Sequence, residues 1–246
     1  MMRSLCPISA LAILARTAAA ATVCNGYAEL CDKLYSNVTF IGSHDSAFVG
    51  VLPVDNQFDS VADQLSIGVR FLQAQSHLDG STVELCHTTC TEEDGGSLQT
   101  WLETIVTFLE ANANEVVTLL ITNGDGLPGS DFAAAFEAAG ADTYAYSPGA
   151  TLALADWPTL GELIDAGSRL VVFMDYPADD SDYSLFGIDI PNEIEASTTN
   201  GVDSTMAQVN ECNALYGKYP SFILFDWISV GDFLEIQAYL NGVGTL

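Results

Sequence analysis

Short runs of Val, Ile, Leu and Phe recur along the chain at Val38–Gly42, Val69–Gln75, Val83–Cys86, Val116–Thr122, Leu170–Asp175 and Phe222–Asp226. Continuous apolar runs of this length suit strands covered on both faces, as in a parallel sheet. Between them the apolar residues fall at helical spacing. Ser97–Ala113 is the clearest case: Ser97 is placed to cap, and Leu98, Trp101, Leu102, Ile105, Phe108 and Leu109 form one face. Phe58–Ile67, Asp131–Ala139, Thr159–Ala166, Ser204–Tyr216 and Asp232–Leu240 read the same way, with Gly140 and Gly167 as stops. Strand alternating with helix predicts an α/β fold built on a parallel sheet. Six such strands fall short of the eight in a closed (β/α) barrel. No repeat, low-complexity tract or Pro-rich linker divides the chain, so one domain is expected.

Composition narrows the picture. Of 246 residues, 49% are hydrophobic and 16% charged, which excludes a disordered chain. Asp and Glu number 33 against six Lys and Arg, a formal charge of −27. Such a field repels nucleic acid, whose recognition needs a basic face, and anionic membrane surfaces. At the N-terminus, Arg3 precedes an apolar stretch, Leu5 to Ala15, and then Ala18-Ala19-Ala20. That is the order of a secretory signal peptide, too short to span a bilayer. The expected division is residues 1–20 as signal and 21–246 as the domain, in a secreted, extracellular protein. No later stretch is long and apolar enough to span a membrane. Cleavage would remove Arg3 and Arg16, leaving Lys33, Arg70, Arg169 and Lys218 as the basic residues.

Secretion permits disulfides. Cys24–Cys31 and Cys86–Cys90 are close enough in sequence to close small loops, which leaves Cys212 over. Cys86-His87-x-x-Cys90 also reads as a metal site, but it offers three cramped ligands where zinc usually takes four. Asn37-Val38-Thr39 is a glycosylation sequon.

The candidate chemistry is sparse. Three histidines are present: His44, His77 and His87. His44, in Gly42-Ser43-His44-Asp45-Ser46, ends the first predicted strand, and His87 ends the third. Strand ends of a parallel barrel converge on the face where active sites form. Two imidazoles there suit a general base and a general acid, with Asp45 and Asp226 to orient or charge-stabilise them. Arg70, on the second strand, is the nearest cation in sequence and a candidate for holding a phosphate.

Gly42-Ser43-His44-Asp45-Ser46-Ala47-Phe48, Gln64-Leu65-Ser66-Ile67-Gly68-Val69-Arg70-Phe71-Leu72 and Leu85-Cys86-His87-Thr88-Thr89-Cys90 together resemble the X-domain of phosphatidylinositol-specific phospholipase C. They are most similar to the secreted fungal branch of phospholipase C-like phosphodiesterases. Asn114–Leu119, Trp157–Ile164, Arg169–Tyr176, Tyr219–Phe222 and Leu240–Gly242 extend the likeness over most of residues 24–243. The resemblance implies a distorted TIM-type (β/α) barrel. It implies cleavage of a phosphodiester by the substrate's own neighbouring hydroxyl, with His44 as general base and His87 as general acid. It places Arg70 close to the phosphate, and Asp175 and Asp226 against sugar hydroxyls or behind His44. Gln73 and Gln75, also assigned to substrate binding, stand where calcium-dependent members carry acidic ligands. A metal-independent reaction with no cofactor is therefore expected. Metal-free members carry an arginine near the position of Gln75, so Arg70 would have to substitute. Relatives also carry a longer stretch before Ile190-Pro191, so the barrel is expected to be distorted or incomplete near residues 180–192. A missing strand there would account for both the strand count and the unpaired Cys212. Besides the inositol-type phosphodiesterase, two alternatives stand. One is a catalytically impaired secreted pseudoenzyme that binds a ligand or cell surface. The other is a glycerophosphodiester phosphodiesterase, which Gln73 and Gln75 disfavour. A lipid or glycosyl-inositol substrate, no nucleic acid, no transmembrane segment and a monomeric state complete the expectations.

Overall fold

The computed structural model describes residues 20–175, 193–195 and 200–246. Six parallel strands lie side by side. In spatial order they are β6 (Leu170–Met174), β5 (Val117–Asn123), β2 (Phe71–Asp79), β1 (Phe40–Ser43), β8 (Phe222–Phe225) and β7 (Glu193–Glu195). Among the described residues no pairing joins β6 to β7, so the curved sheet is an open, distorted barrel rather than a closed one. The signal peptide expected over 1–20 lies, but for Ala20, outside the described residues. The shortfall expected near 180–192 lies outside them altogether.

All six predicted strands form, but one runs against the expected direction. β2 continues beyond the barrel rim and turns back at Gly80 into β3 (Thr82–Cys86), which pairs antiparallel with it from Asp79↔Thr82 to Ser76↔Leu85. β4 (Asp94–Ser97) adds a further antiparallel strand. β4 and β7 were not predicted: Asp94-Gly95-Gly96-Ser97 has no apolar residue, and three residues are too few to show a period.

The helices follow their sequence signals closely. They are α1 (Val61–Ser66), α2 (Leu98–Ala111), α3 (Gly129–Ala139), α4 (Leu160–Ala166), α5 (Val202–Tyr216) and α6 (Phe233–Leu240). Ser97 accepts the Thr100 amide and so caps α2. Thr159 and Glu162 form a capping box on α4. Gly140 and Gly167 end α3 and α4 in the left-handed region. Both expected disulfides, Cys24–Cys31 and Cys86–Cys90, are present, and Cys212 is a buried free thiol on α5. Asn37 of the sequon is exposed. No helix among the described residues is long and apolar enough to cross a membrane.

Side chains alternate across a strand, so each barrel strand serves two cores. One set, including Ile41, Leu72, Ala74, Leu119, Ile121, Val172, Ile223 and Phe225, packs against the helices. The other set points into the barrel: Phe40, Phe71, Leu120, Val171, Phe173, Phe222 and Leu224, floored by Tyr35 and Trp157. The Phe71 and Phe222 rings lie 4.9 Å apart, Phe173 meets Phe222 edge-on at 5.5 Å, and Tyr35 stacks on Trp157 at 4.8 Å. The Tyr35 hydroxyl bonds Thr118 Oγ1 at 2.7 Å, and its burial pushes the phenol well above its ordinary value, so it stays neutral. Gly42 is required beside this layer, because a Cβ there would lie 2.4 Å from the Phe71 carbonyl oxygen.

Two substitutions test the packing. Phe222→Ala is expected to cost about 3–5 kcal/mol of unfolding free energy through the cavity it leaves. Gly42→Ala is expected to cost roughly 1–3 kcal/mol through overpacking against backbone that cannot swing away. Denaturant unfolding measures both, and a neutral Gly42→Ala would contradict the close approach of β1 and β2.

Candidate active site

Followed upward, the inward-facing positions change from aromatic to polar. β1 reads Phe40, Gly42, His44; β2 reads Phe71, Gln73, Gln75; β5 reads Thr118, Leu120, Thr122; β6 reads Val171, Phe173, Asp175; β8 reads Phe222, Leu224, Asp226. The same period that builds the aromatic floor therefore delivers polar side chains to the C-terminal rim. His87 arrives differently. The antiparallel return of β3 carries it back down to the rim, where the Thr88 amide bonds Gln75 Oε1 at 3.2 Å.

The cluster centres on Asp45, which has no exposed surface. Its Oδ2 lies 3.6 Å from His44 Nε2, 3.8 Å from His87 Nε2 and 2.8 Å from Gln75 Nε2, which donates to it. Gln73 Oε1 accepts the Asp45 amide at 2.6 Å, and its Nε2 donates to Thr122 Oγ1 at 3.1 Å. Burial raises the Asp45 carboxyl above its ordinary value; the imidazoles and the glutamine bonds act in the opposite direction.

Both imidazoles are held from behind. His44 Nδ1 donates to Asp226 Oδ1 at 2.8 Å, and His87 Nδ1 donates to the Val54 carbonyl at 2.7 Å. A carboxylate and a carbonyl can only accept, so both protons sit on Nδ1 in the neutral rings and both Nε2 atoms face inward. His87 also stacks on the buried Phe48 at 5.1 Å between centroids. Burial pushes the Asp226 carboxyl up, but bonds from His44 and from Asn56 Nδ2 (2.8 Å) outweigh it and hold it below the ordinary range. His44, His87 and Asp226 are each followed by a residue in the left-handed region: Asp45 (φ 45°), Thr88 (φ 63°) and Trp227 (φ 50°). Sharp turns of this kind aim the preceding side chains into the mouth.

The structure does not bring Arg70 to this cluster. It precedes β2 at the opposite, N-terminal end of the strand and is out of phase with Phe71, Gln73 and Gln75, so it faces away from the barrel. Its Nε bonds Glu115 Oε2 at 2.7 Å, Nη1 donates to the Leu65 and Val69 carbonyls, and the guanidinium covers the Phe108 ring at 4.4 Å. The placement of Arg70 at a phosphate is thereby corrected. Gln73 and Gln75 do reach the cluster, but the bonds above tie their amides to Asp45, Thr122 and Thr88. Asp175 sits exposed at the end of β6, where its Oδ1 accepts the Asn123 amide at 2.9 Å. His77 pairs with Asp125 at 3.0 Å. Among the described residues no group of three or more His, Cys, Asp or Glu is arranged to hold a metal ion.

Sequence reasoning missed the loop between β1 and α1. Asn56 buttresses Asp226. Gln57 Nε2 bonds the His44 and Phe225 carbonyls at 2.7 and 2.9 Å, splicing the ends of β1 and β8. Val54 supplies the carbonyl behind His87. The polar triplet Asp55-Asn56-Gln57 closing an otherwise apolar loop was the available signal.

The chain is similar to known proteins in sequence and in fold. The family model described as PI-PLC X 1 matches residues 30–185 and 181–241. A "PI-PLC X domain-containing protein 1" of Arthroderma benhamiae is 39% identical over 274 residues, covering 90% of each chain. That alignment is longer than the present chain, so the relative contains residues this chain lacks. An "Uncharacterized secreted protein" of the same fungus is 41% identical, over 89% of this chain and 64% of that longer protein. Among solved structures, a phosphatidylinositol-specific phospholipase C of Staphylococcus aureus superposes with a TM-score of 0.58 at 14% identity, over 90% of this chain and 98% of that one. The enzyme of Listeria monocytogenes does so with a TM-score of 0.55 at 14% identity, over 88% and 96%. The open barrel is thus the fold of these phospholipases, and the chain belongs to the PI-PLC X domain family.

Proposed function

We propose that this chain is a secreted, metal-independent phosphodiesterase of the phospholipase C type, acting on an inositol-type phosphodiester. The observation that carries the reading is the convergence of two inward-facing Nε2 atoms on one carboxylate oxygen, each ring pinned through Nδ1. A phosphate entering there meets a base on one side and an acid on the other. His44 Nε2 takes the proton of the substrate hydroxyl beside the phosphate, and that oxygen attacks phosphorus. The resulting imidazolium is stabilised by Asp226 through Nδ1–H. His87, protonated at Nε2, gives that proton to the leaving alcohol as its bond to phosphorus breaks. Asp45 lies between the rings, its Oδ2 3.6 and 3.8 Å from their Nε2 atoms. Amides at Gln73 and Gln75 in place of carboxylates support a reaction that needs no calcium. The alanine-rich N-terminus, two disulfides and a relative named as secreted support export.

The loop that aims His87 also carries Val51 and Leu52 at its tip, 83% and 62% exposed, with the half-exposed Phe58 stacked on Trp227. An uncharged apolar tip beside the mouth, on a chain of charge −27, supports a lipid-borne substrate in a surface of low charge. One observation favours the alternative of a non-catalytic binder: among the described residues no Lys or Arg joins the cluster to offset phosphate charge.

Purified protein assayed on inositol phospholipid in mostly zwitterionic vesicles decides between them. His44→Ala and His87→Ala are each expected to lower cleavage by about 10²–10⁴-fold, with chelator having no effect. Inhibition by chelator would refute metal independence, and absence of cleavage of any phosphodiester would favour the binder. Val51→Asp with Leu52→Asp is expected to reduce cleavage of vesicles but not of a soluble inositol phosphodiester.

Asp45→Asn separates role from stability. The folded carboxyl has a raised value, so the native state holds its proton more tightly than the unfolded chain. Its contribution to stability is full below the ordinary carboxylate value and is lost as pH rises through the raised one. Asp45→Asn is therefore expected to unfold no lower than the parent at pH 7, by thermal melting, while cleavage falls. A marked loss of stability at pH 7 would contradict the sign.

A further inference from the structure

Behind His87 lies a second pair of carboxyl groups that the proposed reaction does not use. Asp55 is buried at the end of the turn 50–55, where its Oδ2 accepts the Leu52 amide at 2.5 Å. The turn is wrapped closely round it: a Cβ on Gly50 would lie 2.1 Å from that oxygen. Glu93, between β3 and β4, places its side chain against Asp55. Its Oε2 is sealed from solvent with no donor in reach. The backbone carbonyl of Glu93 also accepts the His87 amide at 3.2 Å. Two carboxyl oxygens in contact without a donor repel unless one carries a proton. Val54, whose carbonyl orients His87, immediately precedes Asp55 in the same turn.

We propose that Glu93 is a positioning residue for His87, its carboxyl donating to Asp55 and so latching the 50–55 turn against the turn that carries the imidazole. The inference rests on the reading of His87 as the general acid. Burial, the contact with Asp55 and the charge of Asp45 push the Glu93 carboxyl up to about 7, with His87 opposing them. Asp55 and Asp45 from the segment after β1, and His87 from the end of β3, are the titratable groups facing it. Its value lies above the ordinary one, so the folded chain favours the protonated form. The latch is closed in acid and opens as pH rises through about 7. Opening removes the donor between Glu93 and Asp55 and frees the Val54 carbonyl that aims the acid.

Hydrogen exchange on the intact protein tests this without requiring activity. Amides of residues 50–57, corrected for intrinsic rates, are followed from pH 5.5 to 8.5. In the parent, their protection is expected to fall by up to roughly tenfold for each pH unit as pH rises from 5.5 to the Glu93 value of about 7, and to level off above it. Glu93→Gln keeps a donor at every pH and is expected to hold its protection flat, while Glu93→Ala is unprotected throughout. Asp55→Asn, placing the donor on the other side, is expected to match Glu93→Gln and serves if that variant folds poorly. In cleavage assays the ratio of Glu93→Gln to parent rate is expected to rise to about tenfold at pH 8 relative to pH 5.5. Parent protection that is flat with pH, or a Glu93→Gln profile that follows the parent, would overturn the latch. If no variant cleaves any phosphodiester, the reading of function fails, and the exchange profiles still decide the latch.

Discussion

The buried carboxylate of Asp45 is the constraint around which the mouth of the barrel is arranged. A charge with no exposed surface persists only if its surroundings supply donors or cations. Here Gln75 donates to one oxygen and two imidazoles face that oxygen, while Gln73 fixes the backbone by accepting the Asp45 amide. The preference of Asp45 for positive neighbours is also what poises two histidines across a common space. Asp226 and the Val54 carbonyl repeat the logic from behind, fixing each tautomer.

Much of this was legible in the residues. Six strands, six helices, both disulfides and the placement of both histidines at strand ends follow from apolar period, caps and spacing. The error over Arg70 came from reading position along the strand without phase. Phe71, Gln73 and Gln75 share one face, so the residue before Phe71 belongs to the other, and there Arg70 binds Glu115 and Phe108. Arg169 likewise donates to the Asn112 carbonyl and lies over Tyr144. Both arginines among the described residues thus bind near the N-terminal ends of the strands rather than at the mouth.

Other parts could not be read locally. The direction of β3 depends on β2 outrunning its neighbours and folding back at Gly80, and a run of Val and Leu does not encode whether its partner is parallel. The contributions of Val54, Asn56 and Gln57 come from a loop whose shape is set by contacts with β8 and β3. Two of these act wholly or partly through backbone groups, which no side-chain motif records.

Three turns in the left-handed region, at Asp45, Thr88 and Trp227, each follow a residue of the cluster. A non-glycine residue held there stores on the order of 1–3 kcal/mol, and a β-branched one such as Thr88 stands toward the upper end. Of the four non-glycine residues with positive φ among the described residues, these three lie at the mouth, and the fourth, Asn25, bonds Val116 at the opposite end, where the aromatic floor of Tyr35, Trp157, Phe71 and Phe222 is buried. Relief of that strain favours local opening at the mouth over opening of the sheet, so the three turns, more than the hydrophobic core, set how readily the cluster disperses.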